Sequence, residues 1–373
     1  MPLTGLEIQD YRSLGSVVIE PGVRLNVVEG ENASGKTTVL EAIHTLATGR
    51  SFRTKHWNEV IRRGAGGFRI QGRVGNLPIP GRLGFGVQDG QRLIEVNGRM
   101  VGSAAELAKQ LPLLAITPEL QYDFLRSSRY RRSILDWVLF HVEPDFYPNW
   151  LRYHRALSQR NALLRNPSTP TSPRIWDTHL AAAGELLAEA RQRFFTMLDE
   201  EFQDISRRLL LQSTARLNYA RGWREGGALL QTLEENRSED LRRGYTRVGP
   251  HHADLYFELD QEGRHACSHG QQKILVMALR LAQLRLYERI TAQECVLLAD
   301  DINAELDQHH QKRLWEYLES LASQVFVTTL SGTHLQLRGG KMFHVEPQSR
   351  YPIPVPLASN PKKSNEITSE VLE

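Results

Sequence analysis

The 373-residue chain is 40% hydrophobic and 24% charged, the balance of a folded globular protein, and a net charge of +3 excludes a binder that works through bulk basicity. Its longest apolar runs, such as residues 295–299, are far too short to cross a bilayer, and two cysteines, Cys267 and Cys295, are too few for a zinc site or a disulfide scaffold. No basic start followed by an apolar core opens the sequence, so the expected compartment is a reducing cytoplasm, with no membrane partner.

Residues 3–8 and 17–19 read as short strands leading to a third at 24–29, which alternates and is rich in β-branched residues. There follows Gly30-Glu31-Asn32-Ala33-Ser34-Gly35-Lys36-Thr37, which fits the phosphate-loop pattern G-x-x-x-x-G-K-[ST] at every fixed position. Thr38 then begins a run with apolar residues at helical spacing. Glycines let the backbone curl so that successive N–H groups face an anion, Lys36 suits the β- and γ-phosphates, and the Thr37 hydroxyl suits their Mg²⁺. Strand, loop and helix N-terminus in this order predict a site for a nucleoside triphosphate.

Residues 68–74, 82–87 and 92–96 alternate between turn signals, among them Asn97-Gly98, and predict a small antiparallel sheet. Residues 111–116 read as a buried strand. Helical periodicity then takes over: one helix at 126–140, another at 146–164, a Pro-rich hinge at 166–173, and a long amphipathic run at 175–211. Arg126, Arg129, Arg131 and Arg132 crowd one stretch, and on the helix at 126–140 Arg126, Arg129 and Arg132 share one face while Arg131 points elsewhere. Arg12, Arg50 and Arg53 are further basic candidates, Arg53 also for the nucleotide. Sheet-like sequence resumes near Ala215, followed by Gly249-Pro250-His251-His252, a strand at 255–259, a helix at 271–290, strands at 295–299 and 324–328, and a helix at 311–321. Beyond residue 346 the composition predicts a disordered tail, 347–373.

The strand at 295–299 ends in Asp300-Asp301. Its apolar residues bury it and leave the carboxylates at the edge where α/β sheets bind ligands. Asp300 is expected to hold Mg²⁺, alongside Thr37, and Asp301 to orient or deprotonate the attacking water. Upstream, Cys267-Ser268-His269-Gly270-Gln271 opens a helix, with a hydroxyl and a glycine at its start. The ordered set of phosphate loop, Ser-x-Gly-Gln, paired acids and Ala304-Glu305-Leu306-Asp307 resembles the layout of ABC-type ATPases.

Within that superfamily the chain is similar to the RecF family of bacterial DNA repair ATPases. Residues 3–12, Gly49-Arg50-Ser51-Phe52-Arg53, Ile116-Thr117-Pro118-Glu119, Tyr130-Arg131-Arg132, residues 140–144 and Gly249-Pro250-His251 carry the resemblance. It implies an α/β ABC-type head, with a mixed sheet and a small antiparallel sheet, formed by 1–119 and 245–346. An α-helical lobe with a two-helix arm is inserted at 120–244. It also implies ATP and Mg²⁺ as cofactors, DNA junctions as partner, an ATP-dependent homodimer, slow hydrolysis, and mediators such as RecR. Ser268, Gly270 and Gln271 would then grip the triphosphate of a second copy. Three positions depart from the family pattern: Cys267 where Leu usually opens the signature, His252 where Arg or Lys usually follows Gly-Pro-His, and Thr328-Thr329 where ABC proteins often carry a switch His. A transporter's nucleotide-binding subunit and an ATP-binding switch without hydrolysis are the competing readings.

Overall fold

Five parallel strands form the centre of the molecule, in the order Lys341–His344, Leu25–Gly30, Gln324–Leu330, Val296–Ala299 and Leu113–Ile116. The computed structural model describes residues 2–75, 81–166, 172–210, 214–260, 269–302, 306–330, 340–346 and 353–355. Alternate residues of the central strands serve two different cores. Val27, Ile116, Leu297, Ala299 and Val327 pack against helices on one face; Val28, Ala115, Val296, Leu298 and Phe326 pack on the other. That double burial is why these strands read as unbroken apolar runs.

The second face carries the helix Lys36–Thr48 and a six-stranded antiparallel sheet. The sheet includes the predicted strands at 68–96, observed as Gly67–Val74, Gly81–Gln88 and Gln91–Val96. It also includes Leu3–Tyr11 and Leu14–Ile19, which the sequence reading had leading towards the phosphate-loop strand. Leu6 and Ile8 are buried while Glu7 and Gln9 are exposed, the one-sided alternation of an antiparallel sheet with a wet face.

The first face is covered by Ser128–Val142, the 36-residue helix Arg174–Leu209 and the helix His269–Thr291. Phe146–Arg165 packs along the long helix, and Trp137, Trp150 and Trp176 lie partly buried against this core. The expected single helix at 126–140 is two helices. Ser127 is extended (φ −126°, ψ 107°), ends Pro118–Arg126, and caps Ser128–Val142 by accepting from the Tyr130 N–H. Arg126 therefore does not share a helix face with Arg129 and Arg132. The sequence reading also missed the helix Leu229–Arg243 and the strand Lys341–His344. Ile353–Val355, placed in the predicted disordered tail, forms an antiparallel edge strand on Lys341–His344. The rest of that tail, and 167–171 of the predicted hinge, lie outside the described residues.

A fully buried guanidinium ties three lobe helices together. Arg160 donates to Asp177 and Asp240 at 2.7 Å each and to the Thr246 hydroxyl at 2.8 Å, with both carboxylates essentially inaccessible. Removing the cation takes the guanidinium from the buried Asp240 and leaves the buried Asp177 to Arg237 alone. Arg160→Met is expected to cost about 3–5 kcal/mol in urea unfolding; a loss below 1 kcal/mol (roughly the value of an exposed pair) would show that the network is not holding the helices.

Close by, His251 Nε2 lies 3.0 Å from the Thr246 carbonyl, which can only accept, so the ring proton sits there. Nδ1 then accepts from the Tyr153 hydroxyl at 2.5 Å. Burial pushes the His251 imidazole down to about 4, and burial does the same to His44 and His141. The unfolded chain therefore takes up these protons first, starting near the ordinary value of 6.5. Stability should be intact above pH 6.5 and fall as pH is lowered towards 4. Chemical denaturation across that window is expected to show the slope, and His251→Gln to make it shallower; an identical slope in the variant would contradict the neutral, doubly bonded ring.

Candidate nucleotide-binding site

The carboxyl ends of the parallel strands open onto a cleft of about 870 Å³. Asn32, Ala33, Ser34, Gly35, Lys36, Thr37 and Thr38 line it, with Asp300, Asp301, Thr328 and Thr329 opposite. Register brings them there: Leu25–Gly30 runs parallel to Gln324–Leu330, which runs parallel to Val296–Ala299. The last residues of three strands thus reach one edge together.

Local backbone explains the loop's residue types. Gly35, just before Lys36–Thr48, has φ 112°, a left-handed value that penalises any Cβ. A Cβ on Gly30 would stand 2.4 Å from the Val345 carbonyl oxygen and 2.6 Å from the Ser34 hydroxyl. The Lys36 ammonium donates to the carbonyls of Gly30 and Glu31 at 2.8 and 2.7 Å, which keeps it against the loop. Burial lowers its pKa, and the carboxylates of Asp300 and Asp301 oppose that shift.

Asp300 is the hub. Its Oδ1 accepts from the Thr37 hydroxyl at 3.1 Å and from the Thr328 hydroxyl at 2.8 Å. Burial raises its pKa, and the two hydroxyls act against that. Thr328 Oγ1 also accepts from the Asp301 N–H at 2.9 Å, and Asp301 is left-handed at φ 48°. Asp301 is exposed in the cleft, free to meet a water, whereas Asp300 is buried. Neighbouring hydroxyl and carboxylate oxygens on Thr37 and Asp300 form a hard-oxygen donor set of the kind Mg²⁺ accepts through its waters.

Some candidates fall elsewhere. Gly270 and Gln271 are in the first turn of His269–Thr291, and among the described residues lining the cleft none comes from that helix. Ser268, Ala304 and Glu305 lie outside the described residues. Arg131 is committed to Asp254 through two bonds of 2.6 and 2.8 Å, and Arg132 donates to the Ala253 carbonyl at 2.8 Å; Arg126 and Arg129 are exposed. Arg12 clamps the buried Glu41 with bonds of 2.5 and 2.7 Å. Arg53 does line the cleft, 3.7 Å from Glu41 and 3.8 Å from Glu119. Sequence reasoning missed Thr328 as a support for both acids, along with Ser13 and Gln311 in the lining. A threonine ending an apolar strand beside the acidic one was the available signal for Thr328.

Residues 84–350 match the model of the RecF/RecN/SMC N-terminal domain, and residues 5–138 match an AAA domain model. The DNA replication and repair protein RecF of Chromohalobacter salexigens is 38% identical over 355 residues, covering 93% of this chain and 98% of its own. The protein of the same name from Shewanella piezotolerans is 36% identical over 352 residues, with coverage of 93% and 98%. The chain belongs to the RecF family. A solved structure of the recombination mediator protein RecF–ATPrS in the RecFOR pathway superposes with a TM-score of 0.81 at 25% identity, covering 95% of this chain and 98% of that one. An Smc head bound to the C-terminal winged-helix domain of ScpA shares the fold at a TM-score of 0.63 and 17% identity. The architecture is thus the ABC-type head of RecF and SMC proteins.

The close approach at Gly30 yields a direct test on this RecF-family chain. Gly30→Ala should lower thermal stability by about 1–3 kcal/mol, the usual cost of overpacking; an unchanged melting temperature would mean that the loop's spacing to Val345 is slack.

Proposed function

We propose that this chain is an ATP-dependent DNA-binding protein of recombinational repair and replication, acting in the cytoplasm. ATP closes two copies on DNA, and slow hydrolysis releases them, in support of recombinase loading at gaps and SOS induction. The observation that carries the reading is the meeting of Lys36, Thr37, Asp300, Asp301 and Thr328 at one sheet edge. DNA, and mediators such as RecR, enter from family membership and from the RecFOR context of the similar RecF structure.

Gly30 to Thr38 cradle the triphosphate, with the N-terminus of Lys36–Thr48 offering about half a positive charge to it. Lys36 exchanges its carbonyl contacts for phosphate oxygens. Thr37 and Asp300 would hold Mg²⁺, which supplies charge neutralisation on the phosphates. Asp301, fixed by the Thr328 hydroxyl at its N–H, orients or deprotonates the attacking water. Gly270 and Gln271 lie in the first turn of a separate helix, His269–Thr291, that supplies no described lining to the cleft of its own chain, and Ser268 precedes them in sequence. We therefore assign this segment to the triphosphate of the second copy. Each γ-phosphate then completes contacts that neither subunit has alone, and its loss on hydrolysis removes the preference for the closed pair.

Transporter coupling is the less supported alternative: among the described residues no helix is long and apolar enough to cross a membrane, and the relatives matched over nearly their full length are DNA replication and repair proteins.

Lys36→Ala should weaken ATP binding roughly ten- to hundredfold, since a hydrogen bond to a charged group is worth about 1.5–3 kcal/mol; titration with a fluorescent ATP analogue checks this, and unaltered affinity refutes the assigned role. Asp301→Asn should bind ATP normally yet slow single-turnover hydrolysis, and equal rates would leave Asp301 without a part in the chemistry. Ser268→Arg should retain nucleotide binding but sediment as a monomer with ATP.

A further inference from the structure

The helix Ser128–Val142 begins against its own electrostatics. A helix N-terminus carries partial positive charge and favours acids in the first turn, but this one has none there and instead presents Arg129, Arg131 and Arg132. Arg131 is answered by the bidentate Asp254, and Arg191, reaching in from Arg174–Leu209, is answered by the bidentate Asp136 at 2.7 and 2.9 Å. Each of those pairs is neutral within itself, and together they occupy Asp254 and Asp136. Arg129 and Arg132 are left over, three residues apart and hence neighbours on one face. Among the described residues neither forms an ion pair with a carboxylate. The half-buried Arg132 has only the Ala253 carbonyl, and its pKa is lowered by burial and then by Arg191.

Two imidazoles border this surplus. His252 is exposed and directly precedes the residue that Arg132 holds, with its ring 4.5 Å from that of His251. His154 packs on Trp150 at 4.0 Å, and its pKa is lowered by burial first, with Arg191, Arg129 and Arg132 acting in the same direction. Like charges at a helix N-terminus without acids are a local conflict that a bound anion resolves.

We propose that Arg129 and Arg132, flanked by His154 and His252, form a seat for the phosphodiester backbone of DNA. The inference rests on the DNA-binding reading above and assigns to it a place. The seat excludes Arg131, whose guanidinium is fully used, and it recognises phosphate rather than base, because among the described residues no base-reading element accompanies it. It also gives the Gly-Pro-His-His turn a role: holding Arg132 through Ala253 and presenting the adjacent position 252 beside it.

Titration of a fluorescent duplex with the full chain, ATP and Mg²⁺ at several salt concentrations tests the assignment. Arg129→Ala, and Arg132→Gln, which keeps a donor for the Ala253 carbonyl, should each reduce the slope of log K against log salt by about 0.9, the value of one phosphate contact. His252→Arg should steepen it. Arg92→Ala, the same charge loss from an exposed site on the antiparallel sheet, should leave the slope unchanged. Melting curves and ATP affinity, measured in parallel, separate an unfolded variant from a displaced phosphate. If the wild type binds with a salt-dependent slope and the Arg129 and Arg132 variants match it, the seat is overturned while DNA binding stands. If the wild type shows no salt-dependent DNA binding, the broader reading falls, and the seat with it.

Discussion

One carboxylate oxygen holds the two halves of the site together. Asp300 Oδ1 receives hydroxyl protons from Thr37, at the start of the phosphate-loop helix, and from Thr328, near the end of another strand. These residues are 263 and 28 positions from Asp300 in sequence, so only the parallel register of three strands brings them within reach. Shifting any of those strands by one residue would turn its side chains to the opposite core and remove a member of the trio from the edge. Fold and site are therefore fixed by the same pairing.

The sheet also sets what the helices can do. His269–Thr291 is buried along most of its length, from Lys273 to Leu284, so its position is determined by packing. Two of its buried polar side chains act as fasteners: Arg280 donates to the Tyr130 hydroxyl and Gln283 donates to the Ile134 carbonyl. Both partners are on Ser128–Val142, the helix whose first turn carries Arg129 and Arg132. The helix assigned to the second copy's triphosphate and the helix assigned to DNA are thus fastened to each other, which would give the proposed nucleotide-driven closure a mechanical route to the proposed DNA seat.

Much of this was legible in the sequence because the signals were local. The glycine loop states its geometry in eight residues, and the paired acids follow an apolar strand whose burial forces them to an edge. Strands buried on both faces announced themselves as continuous apolar runs. What failed was long-range. Nothing local says that residues 3–11 pair with 67–74 and not with the phosphate-loop strand, since either sheet accepts an alternating segment. The break at Ser127 is a cap whose signal is submerged in a helical pattern on both sides. Leu229–Arg243 is so polar that only tertiary contacts at Leu229, Thr232, Leu233 and Asp240 define its inner face. The basic run at 126–132 looked uniform, yet its arginines divide into one paired with an acid, one bonded to a carbonyl and two exposed, a division that depends on Asp254 and Ala253 far along the chain.

The central claim is that a complete site takes its phosphate loop from one copy and, from another, the start of His269–Thr291 with the Ser268 that precedes it in sequence. Mixing Lys36→Ala protein with Ser268→Arg protein tests it most directly, because each variant alone lacks one half of every site. A mixed pair would join the intact loop of the second to the intact helix of the first. The account predicts that ATP turnover, absent from either variant, reappears on mixing and peaks near equal amounts; a mixture no more active than the sum of its parts would contradict it.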